Sequence, residues 1–166
     1  QTFSNRLHTT TGDLIVSNGT LRLTGNTTFA KAKRLYVGPN GTFLQDSIGT
    51  GVFSGLERIE IDGKFTVGDG LLSGFPIGTA ALVLGKDAEL TAGENEQLSF
   101  ASLTVDGVRL PTDEYTPATL PQLKRGTLRI VAEPSAGVWT GLGDEDTSIR
   151  NAANWTGDDP DFASGG

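Results

Sequence analysis

Leu14-Ile15-Val16-Ser17-Asn18-Gly19-Thr20-Leu21-Arg22-Leu23 sets two short apolar runs on either side of a turn, and the same doublet returns four more times. The copies are Leu35-Tyr36-Val37 with Thr42-Phe43-Leu44, and Ile59-Glu60-Ile61 with Phe65-Thr66-Val67. Leu82-Val83-Leu84 with Ala88-Glu89-Leu90 comes next, then Leu103-Thr104-Val105 with Val108-Arg109-Leu110. Their first residues stand 21, 24, 23 and 21 positions apart. A period of this length is the mark of a solenoid, in which each repeat buries its apolar side only by stacking on its neighbours.

Working outward, each doublet supplies two strands of a coil. Thr27-Thr28-Phe29, Val52-Phe53, Leu71-Leu72 and Leu98-Ser99-Phe100 are candidates for a third. Three short strands and three turns in about 22 residues make one rung of a parallel β-helix, each strand pairing with its equivalent one coil on, about 4.8 Å away. Alternation agrees. In Leu21-Arg22-Leu23, Ile59-Glu60-Ile61 and Leu103-Thr104-Val105 the outer apolar residues point inward and the middle polar one faces water. No window of a dozen residues carries a helical period, although Phe29 to Leu35 has the composition for one helical turn. The expected fold is all-β, a parallel β-helix of about five coils over residues 1–132. A β-sandwich is the rival, since short strands with regular turns also describe that class.

The pattern changes after the fifth doublet. Pro111, Pro117 and Pro121 interrupt ladder pairing, and the segment through Glu114-Tyr115-Thr116 to Gly126-Thr127-Leu128-Arg129-Ile130-Val131 reads as a C-terminal cap. A stack with a bare apolar end would template aggregation. Residues 133–166 read as a linker, Pro134-Ser135-Ala136-Gly137, and the start of a further repeat.

Composition narrows the function. Hydrophobic content is 36% and glycine numbers 23 of 166 residues, which suits a narrow stack whose turns consume glycine. A net charge of −7 with no basic run argues against nucleic acid. No apolar run approaches the roughly 18 residues of a spanning helix, so membrane insertion is not expected. With no cysteine, thiolate metal sites and disulfides are excluded. The absence of methionine and the start at Gln1 suggest an excised piece of a longer polypeptide.

The Gly-Thr-Leu-Arg-Leu and Gly-Thr-Leu-Arg-Ile strands (Gly19 to Leu23, Gly126 to Ile130) resemble autotransporter-associated β-strand repeats. Ser102 to Val131 is similar to the closing unit of such repeats, and Trp139 to Asp144 with Asn151 to Trp155 to the opening of another. The chain departs from the simplest repeats in its longer connections, Gln45 to Gly55 and Gly68 to Gly78. The resemblance implies a right-handed β-helix, secreted or at the cell surface of a bacterium, and usually non-catalytic. In multimodular polysaccharide-active proteins similar units stand beside catalytic domains and bind glycans. In autotransporters they form a passenger stalk. Two functions are therefore expected: a carbohydrate-binding or accessory module, monomeric within a longer chain, or a structural spacer or adhesin stalk.

Glycan binding needs an aromatic face and polar flanks. Tyr36 is the aromatic candidate, with Arg22 and Glu60 as flanks, on the expectation that Arg22, Tyr36, Glu60, Val83 and Thr104 align along one outward face. The plainer reading of Tyr36 is an aromatic in a surface ladder. Tyr115 is expected to pack in the cap, and Trp139 and Trp155 to pack against a coil end. Asp144, Glu145, Asp146, Asp158, Asp159 and Asp161 have the chemistry for calcium but no calcium-loop spacing, so no metal or cofactor is expected. Asn18, Asn26, Asn40 and Asn154 lie in Asn-x-Ser/Thr sequons and read as turn residues. With His8 the only histidine, no Ser-His-Asp triad can form. The carboxylate pairs Asp62 with Asp69 and Glu57 with Glu60, helped by Arg58 or Lys64, are the candidates for glycosidic chemistry. Nothing in their setting sets them apart from a solvated surface, so catalysis is not expected.

Overall fold

The computed structural model describes residues 1–4, 11–25, 29, 31–47, 55–68, 79–93, 96–131, 138–139 and 155–156. Among them every regular element is a strand. In chain order they are β1 (Thr2–Ser4), β2 (Leu14–Gly25), β3 (Arg34–Ser47), β4 (Arg58–Ile61) and β5 (Lys64–Val67). Next come β6 (Ala81–Leu84), β7 (Glu89–Thr91), β8 (Gln97–Phe100), β9 (Ser102–Val105) and β10 (Val108–Leu110). β11 (Glu114–Tyr115), β12 (Leu123–Arg125), β13 (Thr127–Ile130), β14 (Val138–Trp139) and β15 (Trp155–Thr156) complete the set. The chain divides into two compact units, Gln1–Val131 and Ala132–Gly166. In the second, β14 and β15 pair antiparallel, with Trp139 opposite Trp155.

The first unit is a β-solenoid. On one face the Leu14–Val16 part of β2 pairs in parallel with β3, and β4, β6 and β9 continue in register. Past a corner, β1, the rest of β2, the rest of β3, β5, β7 and β12 form a second parallel ladder. β2 and β3 therefore each run through the corner and serve both ladders. A third ladder joins β8 to β13, also in parallel. These parallel ladders remove the β-sandwich, whose sheets are antiparallel.

Period-two alternation builds the core. Leu35, Ile59, Leu82 and Leu103 occupy one register column and are fully buried, and Val37, Ile61 and Leu84 fill the next. On the second face Phe43, Phe65, Leu90 and Leu123 form a buried column. The rings of Phe43 and Phe65 stack with centroids 4.9 Å apart and planes 13° from parallel. Like sits over like because parallel, in-register rows place equivalent side chains directly above one another.

Two expectations need correction. Among the described residues of Phe29 to Leu35 there is no helix: Ala32 N–H donates to the Phe29 carbonyl at 3.2 Å in a single turn, and β3 begins at Arg34. That turn lowers Phe29 and Ala32 into the core and leaves Lys31 and Lys33 in water. The fifth doublet also differs from the other four. β10 does not pass the corner; it folds back antiparallel on β9, with Val108 opposite Val105. Asp106 and Gly107 have φ of 47° and 80°, the pair of positive values that a two-residue type I′ hairpin requires. Asp62-Gly63 has no such values and carries the chain around the corner instead. The two dipeptides lead into different runs: Phe65 and Val67 are buried, whereas Val108 is 62% exposed. The place on the second ladder after β7 is taken by β12, from further along the chain. Of the expected third strands, Leu98-Ser99-Phe100 lies within β8; Thr27-Thr28, Val52-Phe53 and Leu71-Leu72 fall outside the described residues.

Among the described residues, one core residue breaks the apolar pattern. Gln45 stands in register between Leu23 and Val67, is fully buried, and has no hydrogen-bond partner for Nε2 or Oε1. A buried, unpartnered polar group costs about 1–3 kcal/mol. Gln45→Leu should therefore stabilise the solenoid by about 1–3 kcal/mol and raise the melting temperature by several degrees. Thermal and denaturant melts check this, and an unchanged or lower midpoint would contradict it.

Candidate functional site

The outward positions of the first face form a column of Ile15, Tyr36, Glu60, Val83 and Thr104. Tyr36 and Glu60 are thus direct cross-strand neighbours. Arg22 is not among them. It lies past the corner on the second face, opposite Leu44, where it forms an ion pair with Asp46 at 2.7 Å. Arg22 belongs to the second run of its doublet and Tyr36 to the first, so stacking places Ile15 beside Tyr36 instead.

The guanidinium that reaches Tyr36 belongs to Arg34, 5.5 Å from the ring centroid. Arg34 precedes Tyr36 by two residues and so shares its outward side; that parity was the signal in the sequence. Arg34 also bridges Asp13 at 3.2 Å and Glu60 at 2.5 Å, and Glu60 accepts a second bond from Arg58. Burial pushes the Glu60 carboxyl upward, but the bonds from Arg34 and Arg58 outweigh it and hold its pKa below the ordinary value. Tyr36 OH donates to Asp62 Oδ2 at 2.8 Å, and that bond, with burial behind it, raises the phenol's pKa. One face of the Tyr36 ring is therefore engaged by Arg34, and its hydroxyl is tied to the corner.

Asp62 leads into a pocket of about 280 Å³ where the chain turns between the two ladders. Pro39, Asp62, Lys64, Lys86, Asp87 and Glu89 line it with the backbone of Gly63 and Gly85. A Cβ at Gly85 would come within 2.3 Å of Asp62 Oδ1, so glycine there leaves room for the carboxylate that Tyr36 holds from the other side. Lys64 bridges Glu89 at 2.9 Å, and this bond draws the Glu89 carboxyl below its usual pKa. Gln122 Nε2 donates to the Lys86 carbonyl at 3.1 Å, tying the pocket wall to the turn before β12. Lys86 and Asp87 extend into solvent at the rim. The arrangement combines ammonium donors and carboxylate acceptors on rigid corner backbone, which suits hydroxyl-rich molecules.

The other candidates stand elsewhere. Glu57 is paired with Lys33 at 2.6 Å, and Glu60 is held as described. Tyr115 is buried, and its hydroxyl donates to the Pro111 carbonyl at 2.8 Å. Asp69, His8, Asn26, Asn154 and the acidic run from Asp144 to Asp161 lie outside the described residues. Among the described residues no group of three His, Cys, Asp or Glu is placed to hold a metal ion, and no helix is long and apolar enough to cross a membrane. No protein-family model, curated protein or solved structure matches the chain.

The lowered Glu60 pKa has a signed consequence. Its contribution to stability is complete above the ordinary carboxylate value of 4.5 and is lost as pH falls through the depressed folded-state value. The stability gap between the parent protein and Glu60→Gln should be widest near neutral pH and should narrow below pH 4.5. Denaturant melts of the pair across that range measure it; a gap independent of pH would contradict the ion-pair assignment.

Proposed function

We propose that this chain is a non-catalytic carbohydrate-binding or accessory module of a secreted, multimodular, polysaccharide-active bacterial protein, monomeric within that longer chain. The observation that carries the reading is the corner pocket. Hydrogen-bonding groups of both signs line a concavity, and its Asp62 carboxylate accepts a hydrogen bond from the Tyr36 hydroxyl. Sugar hydroxyls donate to carboxylates and accept from ammonium groups, and an aromatic ring offers an apolar surface to the C–H face of a pyranose. The lining holds three carboxylates and two lysines on a protein of net charge −7, which favours a neutral glycan over a polyanionic one. The resemblance to autotransporter-associated repeats supports the extracellular setting. The absence of catalysis is supported by Glu57 and Glu60 each being committed to a cationic partner.

The same reading takes the solenoid as right-handed, of about five coils, closed by a C-terminal cap. In-register rows on the first face support the coil number. The cap is supported by two antiparallel additions, β10 on β9 and β11 on β13, which end the parallel pattern on two ladders. Proline comes directly after β10, which blunts that edge.

A spacer or stalk segment is the second reading. The Asp13–Arg34–Glu60–Arg58 ladder favours it, because that outward face spends its charges on itself.

Affinity electrophoresis on neutral soluble polysaccharides, backed by a glycan array, separates the two. Binding should weaken roughly tenfold in Asp87→Ala, the scale of one lost charge-assisted hydrogen bond. It should weaken by about 0.5–1.5 kcal/mol beyond lost area in Tyr36→Ala. No binding at millimolar sugar would leave the spacer, and full binding by both variants with their fold intact would eliminate the corner pocket as the site.

A further inference from the structure

Three successive rows turn the corner with different numbers of residues. Between Val37 and Thr42 stand Gly38, Pro39, Asn40 and Gly41. In the next row Ile61 and Lys64 are the register partners of Val37 and Thr42, and Asp62 and Gly63 alone make the turn. The row after it, from Leu84 to Glu89, again uses four: Gly85, Lys86, Asp87 and Ala88. Because the strands on either side stay in register, the surplus residues of the longer turns project outward. Exposure follows the count. Pro39 and Asn40 are exposed, as are Lys86 and Asp87, whereas Asp62 is half-buried and Gly63 buried. Gly63 lies flush against the row before it, where a Cβ would come within 2.3 Å of the Gly38 carbonyl oxygen.

The corner pocket is therefore a notch, with the short turn as its floor and the two long turns as its walls. The walls stand two strand spacings apart, about 10 Å. At about 280 Å³ the notch lies below the roughly 300–1,000 Å³ of sites that enclose drug-sized ligands, so it has room for a sugar unit and not for a run of them. Each end is bridged. On the first-face side the Tyr36 hydroxyl reaches from the row of one wall to Asp62 on the floor, and on the second-face side Lys64 of the floor row pairs with Glu89 of the other wall's row. A glycan laid through the notch from one face to the other would run into both bridges. A single unit entering from outside meets neither.

We infer that the notch takes one sugar unit at the end of a glycan chain, and that the two-residue turn Asp62-Gly63 between two four-residue turns sets this preference. The inference rests on the carbohydrate-binding reading above and adds which part of the glycan is bound. Asp62 Oδ2 is held by Tyr36, while Oδ1 faces Gly85, whose missing side chain leaves that oxygen its room. Hydroxyls of the entering unit donate to carboxylates at the floor and wall and accept from the Lys86 ammonium at the rim. The units behind it extend into solvent and add few contacts.

The test is a chain-length series on the full chain, using glucan, mannan and xylan oligosaccharides of two to six units in titration calorimetry. Affinity per molecule should stay within about twofold from disaccharide to hexasaccharide. A rise of roughly tenfold along the series would overturn the inference and leave the binding module standing, because an open groove gains contacts with each added unit. No binding by any member would overturn both. Reducing the terminal unit to its open-chain alditol separates the two chain ends: binding lost assigns the reducing end, binding kept the other, and either supports a terminal site. Inserting Ser-Asn between Asp62 and Gly63 gives this turn the length its neighbours already have and fills the notch. Disaccharide affinity should then fall at least about tenfold with the melting temperature held. Undiminished binding by that folded variant would overturn the placement, and the series on the parent protein decides the matter even where the longer turn costs the fold.

Discussion

In-register parallel stacking governs the rest of the structure. Once Leu35, Ile59, Leu82 and Leu103 share a column, every other position on those strands is assigned, because the side-chain period is two and a slip of one residue would turn the core outward. The same register places Phe43 over Phe65 on the second face and lines up glycine-bearing turns at the corner between. Burial of these columns supplies the main driving force. The ladder hydrogen bonds satisfy the backbone that burial would otherwise leave unpaired. Gln45 shows how strict the arrangement is, since a single amide in an apolar column finds no partner there.

The corner couples the fold to its chemistry. Turn residues are released from the alternation that governs the strands, so Asp62, Lys86 and Asp87 can carry charge without entering the core. The pocket forms because successive turns are tight and short of side chains at Gly63 and Gly85, while the flanking strand positions Lys64 and Glu89 point outward. Tyr36 connects this corner to the first face through its bond to Asp62, and Arg34 connects Tyr36 to the ion-pair ladder. Glu60 is thus connected to Asp62 at the pocket by three contacts, by way of Arg34 and Tyr36.

Much of this was legible in the residues. The doublet period identified a stack, and alternation identified which side chains face in: Leu21, Leu23, Ile59, Ile61 and Leu103 are buried, and Val105 is half-buried against the core. The expected alignment of Tyr36 with Glu60 holds, and that of Arg22 with them does not. The doublets do not mark Arg34, Asp62 and the pocket as one constellation. Proximity across rows depends on which run of one doublet stacks on which run of the next, and on how many residues each turn absorbs. Between Val16 and Asn18 the turn holds Ser17, whereas the next row holds Gly38 and Pro39 in the same place. A linear period averages over that difference.

The sequence by itself determined the all-β stack, the inward residues and the glycine-rich corners, because those arise from local alternation and turn chemistry repeated along the chain. Only the tertiary structure decided that Asp106-Gly107 makes a hairpin where Asp62-Gly63 makes a corner, and that β12 takes the place β10 declines. It alone set Gln45 among apolar neighbours. The physical reason is common to all three. Identical dipeptides and near-identical runs acquire different fates from the rows above and below them, and those rows lie about one full turn away in the chain.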